Sequence, residues 1–405
     1  MNNTTPAQAS RSYWGLVWAQ FRNDKLAFAG LIMIGVLFLM AISAPLLAQN
    51  KPILMKVDGV VSAPLLRDIF APPQGTPEAV LERLFNFALV FGAGALIVLP
   101  ATWLTAPRRR RRGALLVAVA ILTGICILPF LLVQSRLDKT DYRELVSQIR
   151  ETPGNWAVMP LVPYGPYEQP RDVKPYQSVS SEHLMGTDRS RRDVLVRIIH
   201  GARVSLSVGF LAVGVAVAIG LFVGSVSAYH GGWTDIILQR VVEIVICFPT
   251  FLLILTIMAF VDKRSIFNVM LVIGLTGWTG VTRLVRNEML SQKQLDYVAA
   301  AQALGFSSWR IMFRHLLPNC VAPVLVAATF GVAGAILTEA ALSFLGFGVQ
   351  PPTASWGELL NQAQTWPTGY WWLTTWPGLM IFLTVTLFNL VGEGLRDALD
   401  PRLRT

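Results

Sequence analysis

The chain has 405 residues, of which 53% are hydrophobic and only 14% charged, and its mean hydropathy is +0.52. This balance is unusual for a soluble protein of that length, so the composition favours a chain that lies in a bilayer. The net charge is +10, but Lys and Arg near membrane spans set orientation, so the charge alone does not indicate nucleic-acid binding.

Cysteine and histidine are too sparse to suggest a metal or disulfide framework. The three cysteines lie in or beside apolar segments without CxxC spacing, and the four histidines are scattered. We therefore expect no disulfide, no cofactor and no local metal motif, and only a site assembled in space stays open.

Eight apolar runs are long enough to cross a bilayer as helices. They are Leu26–Ala48, Asn86–Ala106, Gly113–Gln134, Val204–Tyr229, Ile244–Val261, Ile266–Thr282, Val321–Phe347 and Trp371–Leu390. The first run is too long, and too far from the start, for a cleavable signal peptide. The sequence predicts an all-α integral membrane protein with about eight transmembrane helices.

The distribution of Lys and Arg predicts the orientation of these spans. Placing both termini in the cytoplasm puts 17 of the 34 cations inside, 6 in the two short outer loops and 11 in the long segment 135–203. In this orientation Arg108–Arg112 forms a tight turn on the inner side of the membrane. We favour this role in setting the topology over a role in binding nucleic acid. We expect a multi-pass membrane protein with both termini in the cytoplasm.

The segment Thr152–Pro175 has six prolines and no strand-like alternation. Each proline fixes φ and removes an amide donor, so the composition predicts an extended outer loop rather than a packed domain.

The stretch from Asp296 to Asn319 predicts two short helices joined by a sharp turn. Asp296 is placed to cap the first helix, and Gly305 to end it in the left-handed conformation. Ser307 is placed to cap the second helix, and Pro318 to stop it.

The second of these helices is amphipathic. Trp309, Met312, Phe313, Leu316 and Leu317 recur at helical spacing, and two arginines fall on the opposite face. The pattern fits a connector on the membrane surface or an element that docks into a soluble partner, and periodicity alone favours the connector.

The same stretch resembles the EAA loop of binding-protein-dependent ABC importers. In that family an Ala-rich helix, a Gly and a terminal Leu-Pro form a coupling helix seated in a cleft of the ATPase subunit. The resemblance implies ATPase-coupling roles for Asp296, Tyr297, Ala299, Ala300, Ala301, Gly305, Leu317 and Pro318. Ala299 stands where the family usually has Glu, so no salt bridge is expected from that position.

Other motifs resemble the C-type subunit of the oligopeptide, dipeptide and nickel permeases. They include 186–194, 201–206, 339–348, Trp356–Leu360 and 395–403, and the region 44–59 is similar to Yej-type permeases of peptide-like cargo such as microcin C. The resemblance implies a six-helix permease core plus an inserted hairpin. The expected division is 1–64, tail and first span; 65–135, inserted hairpin; 136–203, periplasmic loop; and 204–405, the core with a coupling loop at 283–320.

Ionisable residues within spans are functional candidates. Glu243 is explained by its neighbour Arg240, whereas Glu339 is a candidate for the translocation path or for a hydrogen bond to a neighbouring helix, which we favour. Phe248-Pro249 and Trp376-Pro377-Gly378 are expected to kink or break helices. Gly209, Gly214, Gly220 and Gly224 are expected to permit close helix approach.

The resemblance implies a permease subunit that translocates peptides or peptide-like solutes. Its partners would be a second permease, two ATP-binding subunits and a periplasmic or lipid-anchored substrate-binding protein. The chain has no Gly-Lys pair and hence no P-loop, so ATP would be hydrolysed by the partners and this subunit is not itself an enzyme. An ion-driven secondary transporter is the alternative, although few intramembrane carboxylates support it. Nickel and a peptide-like antibiotic stay open as cargo.

Overall fold

The computed structural model describes residues 13–400 except 74, 75, 77, 137, 139 and 262–264, and it leaves out the side chains of 150 and 151. The elements of the first part of the chain are α1 (Tyr13–Asn23), α2 (Lys25–Ile42), α3 (Ala44–Leu47), β1 (Leu54–Val57), β2 (Val60–Ser62), α4 (Pro64–Phe70), α5 (Ala79–Thr105), α6 (Arg111–Leu132), α7 (Tyr142–Glu151) and β3 (Trp156–Val158). They are followed by α8 (Val194–His230), α9 (Gly232–Ile246), α10 (Thr250–Ala259), α11 (Ile266–Lys293), α12 (Asp296–Ala303), α13 (Ser308–Arg310), a π-helical turn (Ile311–Leu316), α14 (Leu317–Phe344), α15 (Trp356–Gln362) and α16 (Trp371–Leu399).

Seven helices in the described part of the chain are long and apolar enough to span a membrane, and the bent pair α9–α10 makes an eighth. The predicted all-α fold of about eight spans is confirmed. Several helices extend beyond the predicted apolar runs: α5 begins at Ala79, α8 begins at Val194 and α11 continues to Lys293. Polar residues at helix ends reach the water and need no lipid-compatible side chain, so hydropathy does not find them.

The predicted helix break at Phe248-Pro249 is confirmed, because α9 and α10 meet there at 80°. Pro249 has no amide hydrogen to continue the helix, and it precedes the first residue of α10. The second predicted site behaves differently, since α16 runs unbroken through Pro377.

The core of the bundle is the long helix α8 packed between α11 and α14. Side chains at three of the four predicted glycines would clash with these neighbours. A Cβ at Gly220 would lie 2.6 Å from Val281, one at Gly224 2.7 Å from the Thr282 carbonyl oxygen, and one at Gly209 2.8 Å from Val332. Gly214 faces open space instead.

A three-stranded antiparallel sheet, in the order β2-β1-β3, lies at the end of the bundle predicted to face outward. We call this the outer end and the opposite end the inner end. Met55 on the central strand is opposite Ser62 on one side and Ala157 on the other. The prediction that the proline-rich segment lacks strands is therefore wrong at Trp156–Val158. The strand fits between Pro153 and Pro160, and it lies at the sheet edge, where flanking prolines interrupt no ladder.

The α5–α6 hairpin touches the bundle near the outer end of α5. The Arg203 guanidinium on α8 bonds the Glu82 carboxylate there, and Asn86 Nδ2 donates to the Ile69 carbonyl oxygen at 3.0 Å. Most of the remaining hairpin surface is exposed and apolar, as expected of helices in contact with lipid.

Candidate functional site at the inner end of the bundle

The first half of the predicted two-helix motif forms as expected, with one correction at its start. α12 ends in a Schellman arrangement, in which the amide of Phe306 donates to the Ala301 carbonyl oxygen at 3.2 Å. Gly305 has φ +72°, which confirms its predicted left-handed conformation. The prediction that Asp296 caps this helix is wrong: Leu295 is the N-cap, and Asp296 is the first helical residue. There its carboxylate still complements the positive end of the helix dipole.

The second half is not a short helix that Pro318 stops. Ser307 caps it as predicted, with the Arg310 amide 3.4 Å from Ser307 Oγ, but the chain then continues as one run from Ser308 to Phe344. A π-helical turn over Ile311–Leu316 precedes Pro318, which sits at the start of α14, where a missing amide costs little. We call residues 296–318 the elbow.

The π turn changes which side chains are buried. Met312 and Leu316 pack inward as expected and Ile311 joins them, whereas Trp309 is 61% exposed and lies against Phe313 at 4.3 Å between ring centroids. A wider turn shifts the angular spacing of successive side chains, so the 3.6-residue period fails here.

The structure exposes most of the predicted coupling residues. Asp296, Tyr297, Ala299, Ala300, Gly305 and Pro318 are exposed, Leu317 is half-buried and Ala301 is buried. The motif therefore presents one face of α12 and its turn to the outside of the subunit.

Sequence reasoning missed the most exposed apolar side chain of the elbow. Leu304 is 73% exposed at the turn, close in sequence to Trp309, and Arg310 and Arg314 are also exposed. An apolar tip with a cationic border is a surface typical of protein docking. The signal was a large aliphatic residue directly before the helix-ending Gly305. We call Leu304, Trp309, Arg310 and Arg314 the elbow tip.

The opposite face of the elbow is packed onto the bundle. Val298, Ile311 and Leu316 join a buried cluster with Ala228 of α8 and Met289 of α11. Two polar contacts add to this packing: Lys293 Nζ donates to the Tyr229 carbonyl oxygen at 2.6 Å, and Asn319 Nδ2 lies 3.3 Å from the Tyr297 hydroxyl. The elbow is thus joined to α8, α11 and α14 together.

The broken span is tied to α11 near the same end. The Arg286 guanidinium donates to both Asp235 oxygens, at 2.7 Å and 2.5 Å, in a two-pronged contact. Arg240 pairs with Glu243 at 2.5 Å, which confirms the local ion pair expected for Glu243. The Arg286–Asp235 contact links α9 to α11, the helix that leads into the elbow.

A cavity of about 210 Å³ lies among α8, α10, α11 and α14. Its lining is mainly small aliphatic residues with three threonines, and none of the described lining side chains is charged. The lining residues are Ala212, Val213, Ala216, Val217, Thr250, Ile254, Ile273, Thr276, Gly277, Val281, Ala327, Ala328, Gly331, Gly334, Ala335 and Thr338.

Glu339 directly follows the lining residue Thr338 in sequence, but Glu339 is not part of the cavity wall. Its carboxylate is fully buried and accepts a hydrogen bond from the Ser343 hydroxyl at 2.7 Å. The bond lies within α14, so the predicted hydrogen bond to a neighbouring helix and the possible place of Glu339 on the translocation path both stay predictions.

At the outer end, two motifs that lie far apart in sequence form a buried polar network. Arg197 NH2 is 2.6 Å from Glu358 Oε2, and Asp188 Oδ2 is 2.7 Å from Arg192 Nε and 3.4 Å from Arg197 Nε. Gln362 Nε2 donates to Glu358 Oε1 at 2.6 Å. Burial lowers the pKa of the Arg192 guanidinium, although the nearby carboxylates oppose the shift. The network fixes α15 against the start of α8.

Comparison with known proteins identifies the family. The family described as "Binding-protein-dependent transport system inner membrane component" matches residues 216–405, and "N-terminal TM domain of oligopeptide transport permease C" matches residues 12–73. The dipeptide transport system permease protein DppC of Escherichia coli K12 is 43% identical over 255 residues, which are 62% of this chain and 83% of that protein. This chain belongs to the binding-protein-dependent transport permeases.

Two further similarities complete the comparison. The oligopeptide transport system permease protein OppC of Bacillus subtilis is 40% identical over 225 residues, covering 56% of this chain and 73% of that protein. Among solved structures, the inward-facing MetNI methionine ABC transporter has 19% identity and a TM-score of 0.41, covering 51% of this chain and 98% of that chain.

Family membership decides between the functions that the sequence left open. The protein is a C-type permease subunit of a binding-protein-dependent ABC importer rather than an ion-driven secondary transporter. It is a membrane permease subunit, as its relatives are, and a multi-pass protein of the bacterial inner membrane.

Proposed function

We propose that this permease moves peptides or peptide-like solutes inward. We also propose that a partner subunit which hydrolyses ATP binds the elbow, so that conformational changes of the partner are transmitted to the elbow. The observation that carries the proposal is the two-sided character of the elbow. One face packs on the inner ends of α8, α11 and α14, and the other presents the elbow tip to the outside of the subunit. A docking surface joined rigidly to three spans is suited to transmit motion.

The contacts suggest how movement of the elbow reaches the membrane. Tyr297 ties the elbow to Asn319 on α14, and Lys293 at the end of α11 ties that helix to α8. Arg286 ties α11 to Asp235 on the first half of the broken span. Displacement of the elbow would therefore move α8, α11 and α14 as a packed group and pull on the bend at Pro249. These helices line the uncharged membrane cavity, so their movement would change its width.

The assembly that we propose contains a second permease, two ATP-binding subunits and a substrate-binding protein outside. The chain has no Gly-Lys pair and hence no P-loop, which supports our proposal that the partners hydrolyse ATP. Asp296, Tyr297, Ala299, Ala300, Ala301, Gly305, Leu317 and Pro318 form or support the ATPase-facing surface, together with the elbow tip. Ala299 keeps the helix there without a charge.

Peptides are the proposed cargo because the relatives are named for dipeptides, oligopeptides and glutathione. The membrane cavity is consistent with this class. The cavity wall consists of small residues and threonines without charge, so it has few groups that could select particular peptide side chains. A wall of this kind suits the transport of varied peptides.

We place both termini and the elbow on the cytoplasmic side. The C-terminal end of α16 lies beside α1, where Gln20 Nε2 donates to the Asp397 carbonyl oxygen at 3.1 Å. Arg108–Arg112 would face the same side, as the excess of cations in inner loops requires. The α5–α6 hairpin is proposed as an insertion within 65–135, since the matched family regions lie on either side of it. The periplasmic region would be 136–203 and the core 204–405.

The decisive experiment is gentle purification of the tagged chain from native membranes, followed by mass spectrometry of the proteins that elute with it. We expect a second permease and an ATPase in comparable amounts, and stimulation of ATP hydrolysis by a peptide-loaded binding protein. If the chain elutes alone, with no ATPase bound in any of several mild detergents, the proposed assembly is refuted.

A further inference from the structure

A second cavity, of about 390 Å³, lies at the outer end of the bundle. Its walls come from the segment after α3, from α4, from the start of α5, from residues 165–168 and from the outer part of α8. The volume is within the range of small-molecule sites. None of its lining residues belongs to the cavity among the spanning helices, so it is a separate feature of the outer face. We call it the outer cavity.

The charges of the outer cavity do not balance. Lys51 is buried and bonds two carboxylates at once, Asp68 at 2.8 Å and Asp138 at 2.7 Å. The other two lining carboxylates each have an arginine partner: Glu82 pairs with Arg203, and Glu168 Oε1 is 3.2 Å from Arg143. Among the described lining residues and their ion-pair partners, one negative charge is left over. An excess charge in a partly buried place is costly unless a counter-charge arrives.

Two buried acceptors in the same wall also lack partners. Asn86 is 3% exposed; its Nδ2 donates to the Ile69 carbonyl oxygen, and its Oδ1 accepts no hydrogen bond within the described part of the chain. His200 is 5% exposed, and its Nε2 lies 2.8 Å from the Ala48 carbonyl oxygen. That nitrogen must donate, so Nδ1 of the neutral ring is an acceptor, and it too has no described partner.

A ligand suited to these walls would therefore be positively charged and rich in hydrogen-bond donors. An ammonium group has both properties, with three N–H donors and one positive charge. A metal ion suits the outer cavity less well, because the described residues include no group of three His, Cys, Asp or Glu placed to hold one.

We propose that the outer cavity binds the primary ammonium group of a small organic ligand. Two sources carry this chemistry, the amino terminus of a peptide and a free diamine. The peptide source rests on the proposed function, whereas ammonium binding itself does not.

The residues that line the outer cavity belong to both the inserted hairpin and the core, so a bound ammonium would contact both. Glu82 and Asn86 belong to α5, Lys51 and Asp68 to the chain before it, and His200 to α8. An ammonium held among them would join the inserted hairpin to the core helix α8. Ligand binding would thus strengthen the contact between the two.

The test uses the full chain in its purified membrane assembly, reconstituted in lipid nanodiscs. Binding is measured by isothermal titration with alanyl-alanine amide, with the N-acetylated form of the same compound, with putrescine and with MgCl₂ or NiCl₂ alone. We expect the amide to bind at least about tenfold more tightly than its acetylated form, because acetylation removes the charge. Tighter binding of the dipeptide amide would identify the amino terminus of a peptide as the source of the ammonium group. Tighter binding of putrescine would identify a free diamine.

Asp68→Asn removes the excess charge while leaving Lys51 paired with Asp138. We expect this variant to lose about tenfold in affinity for the amines, with unchanged or higher thermal stability. Asp172→Asn is the matched control, since Asp172 is largely exposed and does not line the outer cavity. The control should bind as the native protein does.

Equal binding of the acetylated compound, no effect of Asp68→Asn, or no amine binding up to about 10 mM would each overturn the inference. Binding of a divalent metal without any amine would overturn it as well. Amine binding by a chain that carries no ATPase would refute the proposed function alone, and an assembled importer that binds no amine would refute the inference alone.

Discussion

Arg197 on α8 and Glu358 on α15 form a fully buried ion pair, with 2.6 Å between Arg197 NH2 and Glu358 Oε2. The pair is fixed on both sides, by Asp188 near Arg197 and by Gln362 on Glu358. It connects the outer start of the central helix to a short helix 161 residues further along the chain.

Removing one partner of this pair should be strongly destabilising. Glu358→Ala leaves the Arg197 charge buried without its main partner, and we expect a loss of about 3 kcal/mol in the free energy of unfolding. Thermal and denaturant unfolding in detergent measures the loss. The exposed pair is the control, since Arg240→Ala should change stability by less than about 0.5 kcal/mol. Equal effects of the two substitutions would show that burial does not govern the contribution.

The elbow tip should contribute to ATPase binding without contributing to the fold. Trp309→Ala and Leu304→Ala remove exposed side chains, so the subunit should stay folded. Loss of an apolar anchor in an interface commonly costs about 2 kcal/mol or more, so ATPase co-elution should fall. Trp366→Ala is the matched control, because Trp366 is an exposed tryptophan in the outer loop before α16. Full ATPase retention in both tip variants would contradict the proposed docking surface.

Gly305→Val should uncouple ATP hydrolysis from uptake. No atom lies within 4 Å of a Cβ placed there, so the strain comes only from φ +72°, at about 1–2 kcal/mol. Relief of that strain would tilt the turn that carries Leu304, while the spans stay packed. Gly59→Val imposes the same type of strain at φ +84° in open space in the β1–β2 turn. In uptake and ATPase assays in vesicles, Gly305→Val should lower the uptake per ATP hydrolysed, whereas Gly59→Val should leave it unchanged. Normal uptake by Gly305→Val would refute the role of the turn.

Tyr297→Phe should weaken the attachment of the elbow while preserving its shape. The hydroxyl donates to Gln292 Oε1 at 3.2 Å and accepts from Asn319 Nδ2 at 3.3 Å. Both contacts are exposed, so we expect a loss of less than about 1 kcal/mol in stability but a lower ratio of uptake to ATP hydrolysed. The ratio in reconstituted vesicles is the measurement. An unchanged ratio would show that packing alone holds the elbow.

The carboxylates around Lys51 predict a distinct pH dependence. Burial raises the pKa of Asp68 above its ordinary 3.8, despite the hydrogen bond from Lys51. Burial also acts on Asp138, but hydrogen bonds from Lys51, Thr140 and Tyr142 outweigh it and hold the pKa of Asp138 well below that value. Because the folded state binds the Asp68 proton more tightly, stability from that group is lost as the pH rises through its raised pKa. Stability from Asp138 is lost only in stronger acid.

Asp68→Asn removes the first of these effects. The variant should match or exceed the native protein in melting temperature at pH 7, and the difference should vanish as the pH falls below the pKa range of Asp68. Melting curves in detergent between about pH 3.5 and 7 measure this difference, within the range where carboxylates titrate. A variant that is less stable at pH 7 would show that the hydrogen bond from Lys51 outweighs the cost of burial.

The sequence was most reliable where a single local rule governs the backbone. Long apolar runs predicted the spans, Pro249 predicted the break between α9 and α10, and Gly305 predicted the end of α12. It was less reliable where two rules compete. Pro318 is a helix stop in isolation, yet the preceding π turn and the packing of Leu316 carry the helix past it. The cap of α12 was misplaced by one residue, since Leu295 and not Asp296 is the N-cap.

By itself the sequence determined the class of the protein, its number of spans and the location of the two-helix motif at 296–318, because these depend on hydropathy and on residues adjacent in the chain. Only the tertiary structure decided which elbow side chains face outward, how the start of α5 meets α8, and which charges are paired. Arg197 meets Glu358, and Lys51 meets Asp138, across long stretches of chain. Such contacts depend on how helices pack, and packing depends on the shapes of many side chains at once, which no local pattern encodes.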